Sequence, residues 1–127
     1  MPEVTALKRD TWVEITITGQ GDAAAARGLE QTVNAQMARG ARVALLDLSA
    51  MEIADAAFVR ALYRIRQDLE RLGGTVIVVA VSPALRRLLE VAGTVEPLTV
   101  VESVEEGRGL ARAFAADARE ESAEGDA

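Results

Sequence analysis

Two stretches of this chain carry apolar runs with little interruption: RVALLDL at 42 to 48, apolar throughout from Val43 to Leu46, and TVIVVAV at 75 to 81. A strand with one face in water alternates apolar and polar residues. An unbroken run instead suits a strand covered on both faces. Such strands belong to parallel or mixed sheets with helices packed on them. TVIVVAV is the more apolar of the two and is expected to lie centrally. WVEITIT at 12 to 18 does alternate, with Val13, Ile15 and Ile17 on one side and Glu14, Thr16 and Thr18 on the other. It predicts a strand with one wet face, opened by a packing residue, Trp12. LTVV at 98 to 101 predicts a short last strand.

Helical spacing fills the intervals. After the turn GQGD at 19 to 22, Ala26, Leu29, Val33 and Met37 form one stripe, and Gly40 stops it. Phe58, Leu62, Ile65, Leu69 and Leu72 form a second stripe, ended by Gly73 and Gly74. Ser82-Pro83 has the cap and first-turn residues of a third helix, with Leu85, Leu88 and Leu89 inward and Gly93 closing it. SVEE at 103 to 106 is a capping-box sequence opening a fourth, with Leu110 and Phe114 as expected anchors. Gly107 and Gly109 each weaken that helix by about 1 kcal/mol relative to Ala. The expectation is one α/β domain over residues 1–116, with a mixed sheet of about four to five strands and about four helices. Residues 117–127, DAREESAEGDA, hold five acids against Arg119 and are expected to be a solvated, disordered tail.

Composition narrows the function. With no cysteine and no histidine, thiolate metal sites, disulfides and the commonest general base are excluded. A nucleophile–base pair would need serine with Lys8, the only lysine, or carboxylates alone. GQGD lacks the third glycine and the spacing of a dinucleotide-binding loop. No enzyme, no cofactor and no metal is expected. A net charge of −6 argues against nucleic acid as a partner. No run has the length of a membrane span or a signal peptide, so no membrane insertion and a cytoplasmic location are expected.

The stretch LLDLSAMEIADAAFV at 45 to 59 passes from a buried strand, through a turn, into a helix behind Asp55. In α/β sheets binding surfaces gather where strands hand over to helices. A helix amino terminus holds free N–H groups and partial positive charge, so it suits a phosphate. Yet the residues there are Ala56, Ala57 and Phe58, and no Ser or Thr occurs between Ser49 and Thr75. Asp55 suits the role of helix N-cap and that of partner contact, as does Asp22. Phe58 suits an interface anchor, but it lies in register with Leu62, Ile65 and Leu69, which favours core packing. The arginines at 60, 64, 66, 71, 86 and 87 suit solvated helix faces or a patch for an acidic partner.

Taken in order, these pieces resemble the STAS domain family, named for sulphate transporters and anti-sigma factor antagonists. The matching segments are LLDLSAMEIADAAFV, GGTVIVVAVSPALRRLLEVAG at 73 to 93, and SVEEG at 103 to 107. The resemblance spans about residues 10 to 115. It implies a partner-binding regulator. In the anti-anti-sigma members, a serine after a motif aspartate is phosphorylated by an anti-sigma factor that is a serine kinase of the histidine-kinase-like ATPase fold. The unphosphorylated form binds that kinase and frees a sigma factor. Asp55 matches the motif aspartate, Ala56 the phosphorylated serine, and Ala57 the next small residue. Phe58 replaces a glycine. Asp22 matches the aspartate of the earlier turn, where Gly21 replaces an apolar residue.

The resemblance therefore implies an anti-anti-sigma-like module lacking the phosphorylation switch, with Asp22, Asp55, Ala56, Ala57 and Phe58 as candidate partner-binding residues. Ala56 would hold it permanently in the unphosphorylated-like state. The alternative is a structural accessory subunit: a self-assembling scaffold of a signalling complex, or the small STAS partner of an ATP-binding cassette ATPase in lipid transport. A third reading is small-molecule or nucleotide sensing between Asp22 and Asp55.

Overall fold

The structure is a computed structural model that describes residues 3–9, 12–92 and 98–125, with side chains described to residue 117. Strands β1 (Glu3–Lys8), β2 (Val13–Thr18), β3 (Val43–Asp47), β4 (Thr75–Val79) and β5 (Thr99–Val101) form one sheet in the order β1-β2-β3-β4-β5. Helices α1 (Ala23–Ala38), α2 (Ala56–Arg71) and α3 (Pro83–Ala92) each link two neighbouring parallel strands, and α4 (Val104–Gly125) follows β5. Parallel neighbours need a crossover of this kind, which is why strand and helix alternate in the sequence. The expected α/β mixed sheet is thus present, with five strands and four helices.

One strand expectation needs correction, and one strand carries no sequence signal of its own. β3, not β4, is the central strand. Both are covered on both faces, so apolar content alone cannot rank them. β1 was not anticipated. It pairs antiparallel with β2, Val4 opposite Ile17 and Ala6 opposite Ile15. As an edge strand it half-buries Val4 and leaves the rest of its length exposed, apart from its partners, so it carries almost no apolar alternation.

One face of the sheet, with Val13, Ile15, Ile17, Ala44, Leu46, Val76 and Val78, packs in one cluster with residues of α1, α2 and α3. Leu29, Val33, Leu62, Ile65, Leu69, Leu85 and Leu89 come from those helices, as their spacing predicts. Tyr63 joins α2 to α3, its hydroxyl donating to the Leu89 carbonyl at 3.3 Å. Leu72 falls outside the stripe: it is the C-cap of α2 and is exposed. Gly93, expected to close α3, lies outside the described residues.

The other face is covered by α4. Val43, Leu45, Ile77, Val79 and Val101 cluster with Trp12, Ala111 and Ala115. The expected anchor Phe114 is largely on the surface, and Leu110 is only partly buried. α4 instead meets the sheet along small residues four apart: Gly107, Ala111 and Ala115. A Cβ on Gly107 would lie 2.7 Å from Leu45 Cδ1 and 3.0 Å from Val79 Cγ2, so the glycine permits the close approach. The "wet" side of β2 is therefore not wet at its start. Glu14 is buried, and its carboxylate accepts from Arg108 Nε and Nη2 at 2.7 and 2.9 Å. This bidentate bond holds the Glu14 carboxyl below its usual range, against the opposing effect of burial. The Arg112 guanidinium stands 5.6 Å from the centroid of the Trp12 ring. The α4 backbone continues to Gly125, beyond the expected domain end at 116, while Ala115 is its last buried core residue among the described side chains.

Candidate functional site

The site is built at the carboxyl ends of β2, β3 and β4, where three loops meet. After β3, Leu48 N–H donates to the Val79 carbonyl at 2.9 Å, and Ser49 N–H to Asp47 Oδ1 at 3.0 Å. Met51 then drops its side chain into the core. The next residues run back along the β2–α1 loop. Ala54 forms a parallel bridge with Gly21, and Asp55 N–H donates to the Gly21 carbonyl at 2.7 Å. On the other flank, the Ser82 hydroxyl donates to the Glu52 carbonyl at 2.6 Å and accepts from Leu85 N–H at 3.3 Å. The β3–α2 loop is thus fastened to α3 through Ser82 and to the α1 entry through Gly21.

Gly21 explains the departure noted in the earlier turn. It is buried, and a Cβ there would lie 2.6 Å from Ala54 Cβ and 2.7 Å from Met51 Sδ. An apolar side chain at this position would push the two loops apart. The glycine lets them touch backbone to backbone, which sets the starts of α1 and α2 side by side.

Asp22 and Asp55 are the N-caps of those two helices. Asp22 Oδ1 accepts from Ala25 N–H at 2.9 Å, and Asp55 Oδ1 from Phe58 N–H at 3.0 Å. Each carboxylate thereby satisfies a first-turn donor that has no intrahelical partner. Ala56 is exposed, Ala57 half-buried and Asp55 exposed. Phe58 is fully buried in the main core cluster. Of the five candidates, four are brought together at the surface. Phe58 is a packing residue beneath them, because the third helical position after the cap turns toward the sheet.

Sequence reasoning missed two neighbours. Ile53 and Val81 are exposed large apolar side chains on the loops after β3 and β4. They flank a shallow cavity of about 560 Å³, also lined by Ser49, Met51, Glu52 and Pro83. The available signal was an apolar residue, Ile53, inside the turn segment; Val81 is the last residue of the apolar run 75 to 81 and lies past the end of β4 at Val79. Among the described residues no cluster of His, Cys, Asp or Glu could hold a metal ion. No described helix is long and apolar enough to cross a membrane.

A model of the STAS domain matches residues 3–107. No curated protein sequence matches the chain. Among solved structures, it is similar to an anti-sigma factor antagonist from Mycobacterium paratuberculosis, at 22% identity and a TM-score of 0.78, covering 88% of this chain and 95% of that one. It is similar to the unphosphorylated form of the anti-sigma factor antagonist SpoIIAA, at 16% identity and a TM-score of 0.68, covering 87% and 97%; SpoIIAA is a Bacillus cell fate determinant also solved in a phosphorylated form. It is also similar to a chain of the stressosome, a signal integration and transduction hub, at 20% identity and a TM-score of 0.68, covering 87% and 98%. At these identities the structural likeness is one of fold. The family match covers most of the sequence, and the chain belongs to the STAS domain family.

Proposed function

We propose that this domain is a non-enzymatic regulator that acts by protein–protein contact, as an anti-sigma factor antagonist without a phosphorylation switch. The observation that carries the reading is Ala56. It is exposed at the first position of α2, directly after the capping Asp55, and the loop that leads into it is fastened to its neighbours at Gly21 and Ser82. This is where a switchable hydroxyl would meet a partner kinase, and the side chain present is a methyl group. The partner class is an anti-sigma factor of the histidine-kinase-like ATPase fold, and Asp22, Asp55, Ala56 and Ala57 form the contact. Ile53 and Val81 add an apolar margin. Binding would be constitutive, because nothing between Ser49 and Thr75 except Tyr63 offers a hydroxyl.

The test is calorimetric titration of a co-occurring kinase of that fold with wild type, Ala56→Asp and Ala56→Ser. Wild type binds irrespective of ATP. A charge at residue 56 must be desolvated in the complex, so Ala56→Asp weakens binding about tenfold or more. Ala56→Ser acquires phosphate at residue 56 if the kinase-facing surface is intact. Equal affinity of wild type and Ala56→Asp would remove this surface from the interface.

A second reading, a structural subunit of a larger signalling assembly, is supported by the fold likeness to a stressosome chain. Self-association of the pure protein that persists at high salt distinguishes it from a regulator that acts as a single domain.

A further inference from the structure

The starts of α1 and α2 share a pattern. Each opens with a capping aspartate, two alanines and then an arginine five residues after the cap: Asp22 with Arg27, and Asp55 with Arg60. Because the Gly21–Ala54 bridge aligns the two starts, both arginines line one groove between the helices, of about 210 Å³, together with Arg64 and Glu30. Glu30 is already bonded to Arg64. Arg27 and Arg60 are exposed, and among the described residues neither has a hydrogen-bond or ion-pair partner. Neither helix has an acid in its first turn. In a chain of net charge −6, this groove concentrates unpaired positive charge.

The same chain carries the complementary charge at its far end. Asp117, Glu120, Glu121 and Glu124 recur at i, i+3, i+4 and i+7, the spacing of one helix face, and α4 extends to Gly125. A molecule cannot readily bring its own tail to its own groove. α4 packs on the sheet face opposite α1 and α2. It runs from Gly107, against Val79 and Val101 at the carboxyl ends of their strands, to Arg112 over Trp12 at the start of β2. Its continuation leaves the sheet at the end away from the groove.

We infer that the α1–α2 groove is a docking site for the acidic end of α4 of a second copy of this chain. The contact is heterologous, head to tail, so it propagates into a ring or a filament instead of stopping at a symmetric dimer. It rests on exposed charge and is therefore weak and salt-sensitive. The inference needs no partner protein; the groove meets the contact surface of the regulator reading at Ala57, and the two are tested separately, one with the pure protein and the other with a kinase present.

The experiment is sedimentation velocity of the full chain, at protein concentrations up to about 1 mM, in about 0.01 M and about 1 M salt, between which the Debye length falls from about 30 Å to about 3 Å. Wild type forms species larger than a dimer at low salt and is monomeric at high salt. Arg27→Glu with Arg60→Glu reverses the groove; Glu120→Lys with Glu121→Lys and Glu124→Lys reverses the tail. Each variant alone loses association by about tenfold or more in Kd, and a mixture of the two regains it, because each supplies the charge that the other now needs. Should the reversed groove fail to fold by circular dichroism, Arg27→Gln with Arg60→Gln takes its place and is mixed with wild type, whose assemblies it then terminates. A wild type that stays monomeric at low salt overturns the inference. Association that survives either variant overturns it as well, since the groove or the tail is then not the surface used.

Discussion

Glu14 and Arg108 stand 94 positions apart in sequence and form a bidentate ion pair between the start of β2 and the second turn of α4. The pair fixes how α4 lies across the sheet, and with it the cover over Leu45 and Val79. Glu14 is buried while Arg108 is partly exposed, so the carboxylate is the group that depends on the bond.

Removing the partner tests this. Among the described residues, Arg108→Ala leaves the Glu14 carboxylate with only Arg9, at 3.8 Å, and is expected to cost about 1–3 kcal/mol at pH 7. The folded-state pKa of Glu14 lies below its unfolded value, so its contribution is present above the ordinary carboxylate range and is lost as pH falls through the lowered folded value. Urea denaturation at pH 7 and in acid, below the folded pKa, should therefore show the gap between wild type and variant shrinking in acid. A gap that is constant with pH would assign the loss to packing of the arginine stem.

The glycines make opposite predictions. Gly21→Ala places a Cβ within 3 Å of both Ala54 and Met51, and overpacking there costs about 1–3 kcal/mol. Gly109 has nothing within 4 Å of an added Cβ and lies in α4, so Gly109→Ala stabilises by up to about 1 kcal/mol. At Gly107 the same helical gain is opposed by Leu45 Cδ1 at 2.7 Å, and no net stabilisation is expected. Thermal melts of the three variants give the order directly.

Ala56 and Phe58 separate surface from core within one helical turn. Ala56→Asp puts a negative charge at the first position of α2 and is neutral or stabilising by about 0.3–1 kcal/mol. Phe58→Ala empties a fully buried site and costs about 3–5 kcal/mol. Chemical denaturation of both checks the assignment. A destabilised Ala56→Asp protein would mean that its loss of partner binding reports unfolding.

Ending the chain after Ala116 should leave the melting temperature within a few degrees of full length, because Ala115 is the last buried residue of α4 among the described side chains and residues 117–127 are mostly charged or small. A larger drop would mean that residues 117–127 support the domain from outside its core.

The sequence determined the parts whose signal is local. The apolar runs of β3 and β4, the 3.6-residue stripes of α1 and α2, and the capping residues Asp22, Asp55, Ser82 and Ser103 all act within a few residues of themselves. They sufficed for element order, and their arrangement carried the family resemblance. What the tertiary structure decided involves residues far apart in the chain. β1 is a strand because β2 offers it an edge, and its own side chains bury little. Glu14 reads as the wet side of an alternating strand, and only the arrival of Arg108 from α4 makes it a buried partner. Gly107 reads as a helix breaker until Leu45 is found beneath it. Gly21 reads as a loose turn until Ala54 and Met51 are found against it. In each case the local pattern is set by one chain segment, whereas the energy of the residue is set by what a distant segment places within van der Waals or hydrogen-bonding distance.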